Sequence, residues 1–305
     1  MFSALAALGR FAEALDAYRE VGDPSGTAAV LGNMAILKSW RGDLAGARQA
    51  DEESLASARE AHDDNGVRVQ LDNRAELLLL GGDLAGSARA NDELAERSGG
   101  SGEKRFLAYA LHRRGASALA RGERKAARAS LGEALALREQ VDRKAVPTTQ
   151  LALAQLEIDD GDPGGAEKLA RAAATDFRSA KRREDEAAAL AVVAAALVRQ
   201  GDPAAARAAL KPAEKVEANS QNVTYCRLPV ALAAAAIHLA AGERDAAVTR
   251  YRAALADATR YGLASARFEA LLGLLAAGAP DVDRTALVAE ATARGFGRVA
   301  ERAGK

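Results

Sequence analysis

One phrase recurs along the chain and limits what it can fold into. "RGDLAGARQA" at 41–50 returns as "GGDLAGSARA" at 81–90. Glycines followed by an acid then recur at Gly42-Asp43, Gly82-Asp83, Gly122-Glu123, Gly161-Asp162, Gly201-Asp202 and Gly242-Glu243, with a looser forerunner at Gly9-Arg10. The six regular glycines are spaced 40, 40, 39, 40 and 41 residues apart. A fixed period of this length marks a stacked-repeat protein, in which each unit buries its apolar face against its neighbours.

The phrase has a local meaning. Glycine adopts the left-handed conformation that closes a helix, and an aspartate side chain accepts the first backbone N–H groups of the next one. In "GDP" at 161–163 and 201–203, Pro163 and Pro203 fall at the first helical position, where no N–H is needed. The phrase is therefore the tight turn of a helical hairpin. Small residues after it (Ala47, Ser87, Ala127, Ala166, Ala206 and Ala247) let the second helix lie close to the first. Helical patterns precede the turns at 27–41, 66–80, 103–121, 144–160, 184–200 and 223–241. They follow them at 43–61, 83–97, 123–140, 163–180, 203–217 and 243–261. Polar joints such as "HDDNG" (62–66), "SGGSGE" (98–103) and "ANSQN" (218–222) separate the units. A last pair, 263–277 and 283–303, reads as a C-terminal cap over 263–305.

Composition agrees with close helix packing. Aromatics make up 4% of the chain, while the hydrophobic group reaches 49%, carried largely by Ala and Leu. Lys+Arg and Asp+Glu are both 42, so net charge gives no general pull toward nucleic acid or an anionic membrane. The single cysteine, Cys226, excludes an internal disulfide and a cysteine-based zinc site. No signal-peptide pattern is visible, and the apolar run Leu228–Ala241 is short for a membrane span and carries His238. The expected setting is cytoplasmic.

With Gly42 as the turn glycine, Leu31, Asn33, Ala35 and Ala47 fall on the pattern of the tetratricopeptide repeat family, which the chain resembles. Leu71, Asn73, Ala75 and Ser87 do the same around Gly82, as do Leu111, Gly115 and Ala127 around Gly122. The third repeat departs by placing Arg113 at the Asn position, and later repeats have Ala or Val there. The resemblance covers nearly the whole chain and implies a single all-α domain over 1–305. That domain is a right-handed superhelical solenoid of about six to seven hairpins with turns near 9, 42, 82, 122, 161, 201 and 242 and a C-terminal capping helix. The repeats exceed the family's usual 34 residues, and this longer form resembles arrays in large bacterial signalling proteins. "ATDFRSAKRREDEAAALAVVAAALVRQGD" (174–202), "SQN" (220–222) and "ATARGFGRVAERA" (291–303) are similar to repeat regions of bacterial serine/threonine kinases; related arrays accompany transcription regulators.

These resemblances imply a non-catalytic protein–protein interaction module: the docking or sensory region of a bacterial signalling protein. The alternative is the small-ligand-sensing arm of a transcription regulator. Groove-facing candidates for partner binding are Asn33, Asp72, Asn73, Glu76, Tyr109, His112 and Arg113. Asn can donate and accept at once toward a peptide backbone. The other use of these positions is to hold neighbouring repeats together.

Catalytic machinery is not expected. The chain lacks "GxGxxG" after a strand, "HRD" and "DFG", and "SGGSGEK" at 98–104 lacks the phosphate-loop spacing. His62, His112 and His238 have no convergent second ligand, so neither a metal nor a cofactor site is expected. Cys226 reads as a buried thiol, and "RGD" at 41–43 as the repeat turn.

Charge is unevenly distributed. Residues 42–100 hold 6 basic and 13 acidic side chains, and residues 103–144 hold 11 basic and 5 acidic. Arg121, Arg124, Lys125 and Arg128 share one helix face. This stripe reads as an ordinary solvated face or as a site for an acidic protein partner, and the scarcity of stacking aromatics disfavours nucleic acid. "FSALAAL" at 2–8 is too short for a full helix before Gly9, and its Phe2, Leu5 and Leu8 would need another surface. That points to a neighbouring N-terminal domain of the same protein.

Overall fold

The computed structural model describes residues 4–99 and 103–305. The expectations attached to Phe2, to the Leu5 side chain and to Gly100, Ser101 and Gly102 lie outside the described residues. Among those described, every regular element is helical. A first helix, α1 (Ala4–Glu20), leads into six hairpins: α2 (Pro24–Trp40) with α3 (Leu44–Glu60), α4 (Asp64–Gly81) with α5 (Leu84–Gly99), α6 (Lys104–Ala120) with α7 (Arg124–Val141), α8 (Val146–Asp160) with α9 (Pro163–Ser179), α10 (Arg183–Arg199) with α11 (Pro203–Glu217), and α12 (Leu228–Ala240) with α13 (Arg244–Arg260). The chain ends with α14 (Ala264–Ala276), α15 (Arg284–Ala293) and α16 (Gly297–Gly304). Each helix packs on the next and each hairpin on its neighbours, which makes an all-α solenoid.

The repeated phrase works as its chemistry predicts. Gly42, Gly82, Gly122, Gly161, Gly201 and Gly242 all take positive φ, between 78° and 85°. Asp43, Asp83, Asp162 and Asp202 accept the backbone N–H three residues on at 2.7–2.9 Å. Glu123 and Glu243 make no such bond. Ala47, Ala127, Ala166, Ala206 and Ala247 are fully buried, and Ser87 keeps the same place by donating its hydroxyl to the Ala75 carbonyl at 2.8 Å. In the third hairpin the approach is closer still: a Cβ on Gly115 would lie 2.5 Å from Leu131 Cγ.

Three expectations are corrected. Gly9 is not a turn, because α1 runs unbroken through it to Glu20 and the left-handed turn falls at Gly22, before the cap Asp23. Residues 4–8 are thus the start of a longer helix, with Leu15 in the core beside Val30 and Leu31. The final helix expected over 283–303 is broken at Gly295 (φ 76°), which turns the chain so that Phe296 packs on Phe268 with ring centroids 4.8 Å apart. The stretch read as short for a membrane span also reaches back beyond Leu228, within the helix expected over 223–241. A π-helical turn, Val223–Arg227, joins α12 without a gap. Pro229 has no N–H and would crowd the carbonyl of Tyr225, and the widened turn accommodates it. The combined stretch Val223–Ala240 is long and apolar enough to cross a membrane by length and composition, yet Val223, Cys226, Leu228 and Val230 are buried inside the fold.

The solenoid closes on itself. The π-turn meets α2, α14 meets α4, and α16 meets α6. One apolar cluster joins Leu31, Leu44 and Leu77 of the early hairpins to Val223, Leu228, Leu263 and Ala270. A second joins Leu84 to Phe268, Phe296 and Val299. The glycine turns of the first three hairpins are the contact edge: Gly42 lies against Tyr261, Gly82 against Ala264 and Phe296, and Gly122 against Arg298.

Candidate functional site

The seven groove candidates divide into three groups. Asp72, Glu76 and Arg113 form a linked cluster between α4 and α6. Arg113 Nε donates to Asp72 Oδ1 at 3.0 Å and its Nη2 to Glu76 Oε2 at 2.7 Å. The arginine that breaks the family pattern in the third hairpin therefore answers the carboxylates of the second. Only 17% of the Arg113 side chain is exposed. The opposite partner comes from far along the chain, as Tyr225 on the π-turn donates its hydroxyl to Glu76 Oε1. Burial and the Glu76 carboxylate both hold the Tyr225 phenol well above its ordinary value, so it remains a donor.

Tyr109 and His112 face the α7–α8 side instead. Tyr109 donates to Asp142 Oδ2 at 2.6 Å, and burial with that carboxylate pushes its phenol up to about 12. His112 is only 5% exposed and does not reach an open groove, which corrects its expected role as a contact residue. Arg138 Nη1 donates to Thr149 Oγ1 at 2.6 Å, and Thr149 Oγ1 lies 3.4 Å from His112 Nδ1. Burial first, then the charges of Arg138 and Arg113, hold the imidazole well below its ordinary range. Arg138 itself, buried beside Arg113, is lowered to about 10.

Asn33 and Asn73 remain. Asn33 is exposed on α2; Asn73 is half-buried on α4 and donates to Gln70 Oε1 at 3.1 Å. Gly32 and Gln70 mark the contact between the two helices. Helical periodicity then places Asn33, Leu37 and Trp40 on one side of that contact, with Val69, Asn73 and Glu76 beside them. Trp40 is 40% exposed and Val69 37%. Sequence reading missed Trp40 and Val69, although their spacing from the two asparagines carried the signal.

Three of the four cations of the basic stripe are held in ion pairs within the chain, while Lys125 is exposed. Arg128 pairs with Glu157 and Asp160, both at 2.7 Å, Arg124 with Glu301 of α16 at 2.7 Å, and Arg121 with Glu123 at 2.9 Å. Among the described residues no group of three His, Cys, Asp or Glu side chains could hold a metal. Cys226 is buried, and burial pushes its thiol up to about 11.

Residues 27–66, which span the α2–α3 hairpin, match the tetratricopeptide repeat family. The match covers one hairpin of the six. Its fold is similar to that of BtubC (BKLC) from P. vanneervenii, with a TM-score of 0.55 at 17% identity over 72% of this chain and 92% of that one. It is also similar to a tetratricopeptide repeat protein from Parabacteroides merdae, with a TM-score of 0.50 at 18% identity over 87% and 98% of the two chains. No curated protein matches the sequence. Tetratricopeptide repeats build protein–protein interaction scaffolds, and the family is generally non-catalytic.

Proposed function

We propose that this protein is a tetratricopeptide-repeat docking scaffold that receives a protein or peptide partner on the inner face of α2 and α4. The observation that carries the reading is the accessible row of Asn33, Trp40, Val69 and Asn73 beside the closed Asp72–Glu76–Arg113 cluster. Amide side chains that can pair with a peptide backbone alternate there with apolar contact area, and a buried aromatic anchor contributes most to such binding. Together with the forty-residue period, this supports the docking region of a bacterial signalling protein working in the cytoplasm.

A photo-crosslinking amino acid placed at Val69 tests it, with Glu133, exposed on α7, as the control position. Capture of a defined partner from Val69 and not from Glu133, weakened by Asn33→Ala/Asn73→Ala, supports the proposal. Equal capture from both positions, or capture indifferent to the two asparagines, overturns it.

A further inference from the structure

Closure of the solenoid creates a cleft of about 930 Å³ where the first hairpin meets α13, α14 and the end of α15. Three cations reach it from the early part of the chain, Lys38, Arg41 and Arg48, and three from the late part, Arg260, Arg267 and Arg294. Asp43 is the one carboxylate residue in the lining, and its Oδ1 already accepts the Gly46 N–H. Like charges gathered in a concave site repel one another and focus a positive potential within it.

Internal partners answer only part of this charge. Arg267 pairs with Glu290 at 2.6 Å, and Arg294 lies 3.7 Å from the same carboxylate. Among the described residues Lys38, Arg41, Arg48 and Arg260 make no ion pair. Arg41 Nη1 is buried with no hydrogen-bond partner among the described residues. Two guanidiniums from opposite parts of the chain converge on one turn: Arg294 Nη2 donates to the Gly81 carbonyl at 3.0 Å, and a Cβ on Gly81 would run into Arg48 Nη2. In the α6–α7 stripe Arg121, Arg124 and Arg128 are paired, whereas in the cleft four of the six cations make no ion pair among the described residues.

We infer that this cleft is a binding site for a small molecule carrying two or more phosphates. Guanidinium forks match phosphate oxygens bidentately, and an excess of four positive side chains, six cations less Asp43 and Glu290, exceeds what one carboxylate would need. The volume lies in the range of small-molecule sites. Tyr261, whose ring lies against Gly42 and beneath Arg260 at 5.4 Å, offers a flat apolar wall. A ligand held by both sets of cations binds the closed form and stabilises it by mass action.

Calorimetric titration of the full chain with inorganic tripolyphosphate and with ATP tests the site at constant ionic strength. Arg48 and Arg260 are exposed, so Arg48→Ala/Arg260→Ala should keep the fold, which circular dichroism checks; Lys125→Ala is the control outside the cleft. The expected result is saturable binding that weakens about tenfold or more in the double variant and is unchanged in the control. Tighter binding of ATP assigns the cleft to nucleotides through Tyr261, and tighter binding of tripolyphosphate to inorganic phosphate chains; both support the inference. Absence of saturable binding overturns it, as does equal binding by the double variant. A glutamate-rich peptide that binds in a manner dependent on Arg48 and Arg260 while both phosphates stay inert also overturns it, and assigns the cleft to an acidic peptide.

Discussion

Thr224 Oγ1 donates to the Ser39 carbonyl at 2.7 Å across 185 residues of sequence. Both residues are buried, and the bond fixes the π-turn before α12 onto the C-terminal end of α2. Thr224→Asp should part the two by setting a carboxylate against a carbonyl in a site with little water, at a cost of about 2–4 kcal/mol. Amide hydrogen exchange should then accelerate in α2 and in α13–α14 together while α8–α10 stay protected. Unchanged protection of α2 would show that closure does not rest on this contact.

The turn glycines should differ in their tolerance of alanine. Gly82 and Gly201 have nearly the same φ, 85° and 83°, so each substitution incurs the left-handed penalty of about 1–2 kcal/mol. A Cβ at Gly82 would also lie 2.7 Å from Ala264 Cβ, whereas nothing lies within 4 Å at Gly201. Gly82→Ala should therefore destabilise by about 1–2 kcal/mol more than Gly201→Ala in urea titrations.

His62 and Lys181 hold left-handed positions at joints between hairpins, with φ of 52° and 59°. His62→Gly and Lys181→Gly should each stabilise the chain by about 0.5–1 kcal/mol, read as a higher denaturation midpoint. A lower midpoint would mean that their side chains contribute more than their backbone strain costs.

Stability should fall on acidification because of His112. The unfolded chain takes up a proton there as pH drops through the ordinary value of 6.5, and the folded chain, whose imidazole is held well below it, does not. The loss should reach about 1–2 kcal/mol between pH 6.5 and pH 5 and disappear from the difference curve in His112→Gln. Parallel curves for the two proteins would place the histidine's charge elsewhere.

The hairpins were legible because their signal is local. Gly42, Asp43 and Ala47 lie within six residues of one another, and each acts through its own turn or the facing helix. Closure was not legible, because what joins Ser39 to Thr224, Glu76 to Tyr225 or Arg124 to Glu301 has no period and no motif. The same blindness affected the site. Asp72, Glu76 and Arg113 were grouped together as groove candidates, but the arrival of Tyr225 among them was not foreseen. Arg124 and Arg128 looked unpaired because Glu157, Asp160 and Glu301 are distant in sequence. Gly9 misled for the opposite reason: it looks like a turn glycine, but the helix pattern continues through it and the cap lies at Asp23.

The Thr224–Ser39 bond also sets an order of events during synthesis. The α2–α3 hairpin leaves the ribosome long before the π-turn exists, and at about 5–20 residues per second the interval is roughly 10–40 s. Throughout that time Leu31, Leu44 and Leu77 lack the late segment that covers them in the finished fold. The nascent chain therefore passes that interval with an apolar edge open on its α2–α4 helices, and synthesis of residues 223–270 ends that exposure.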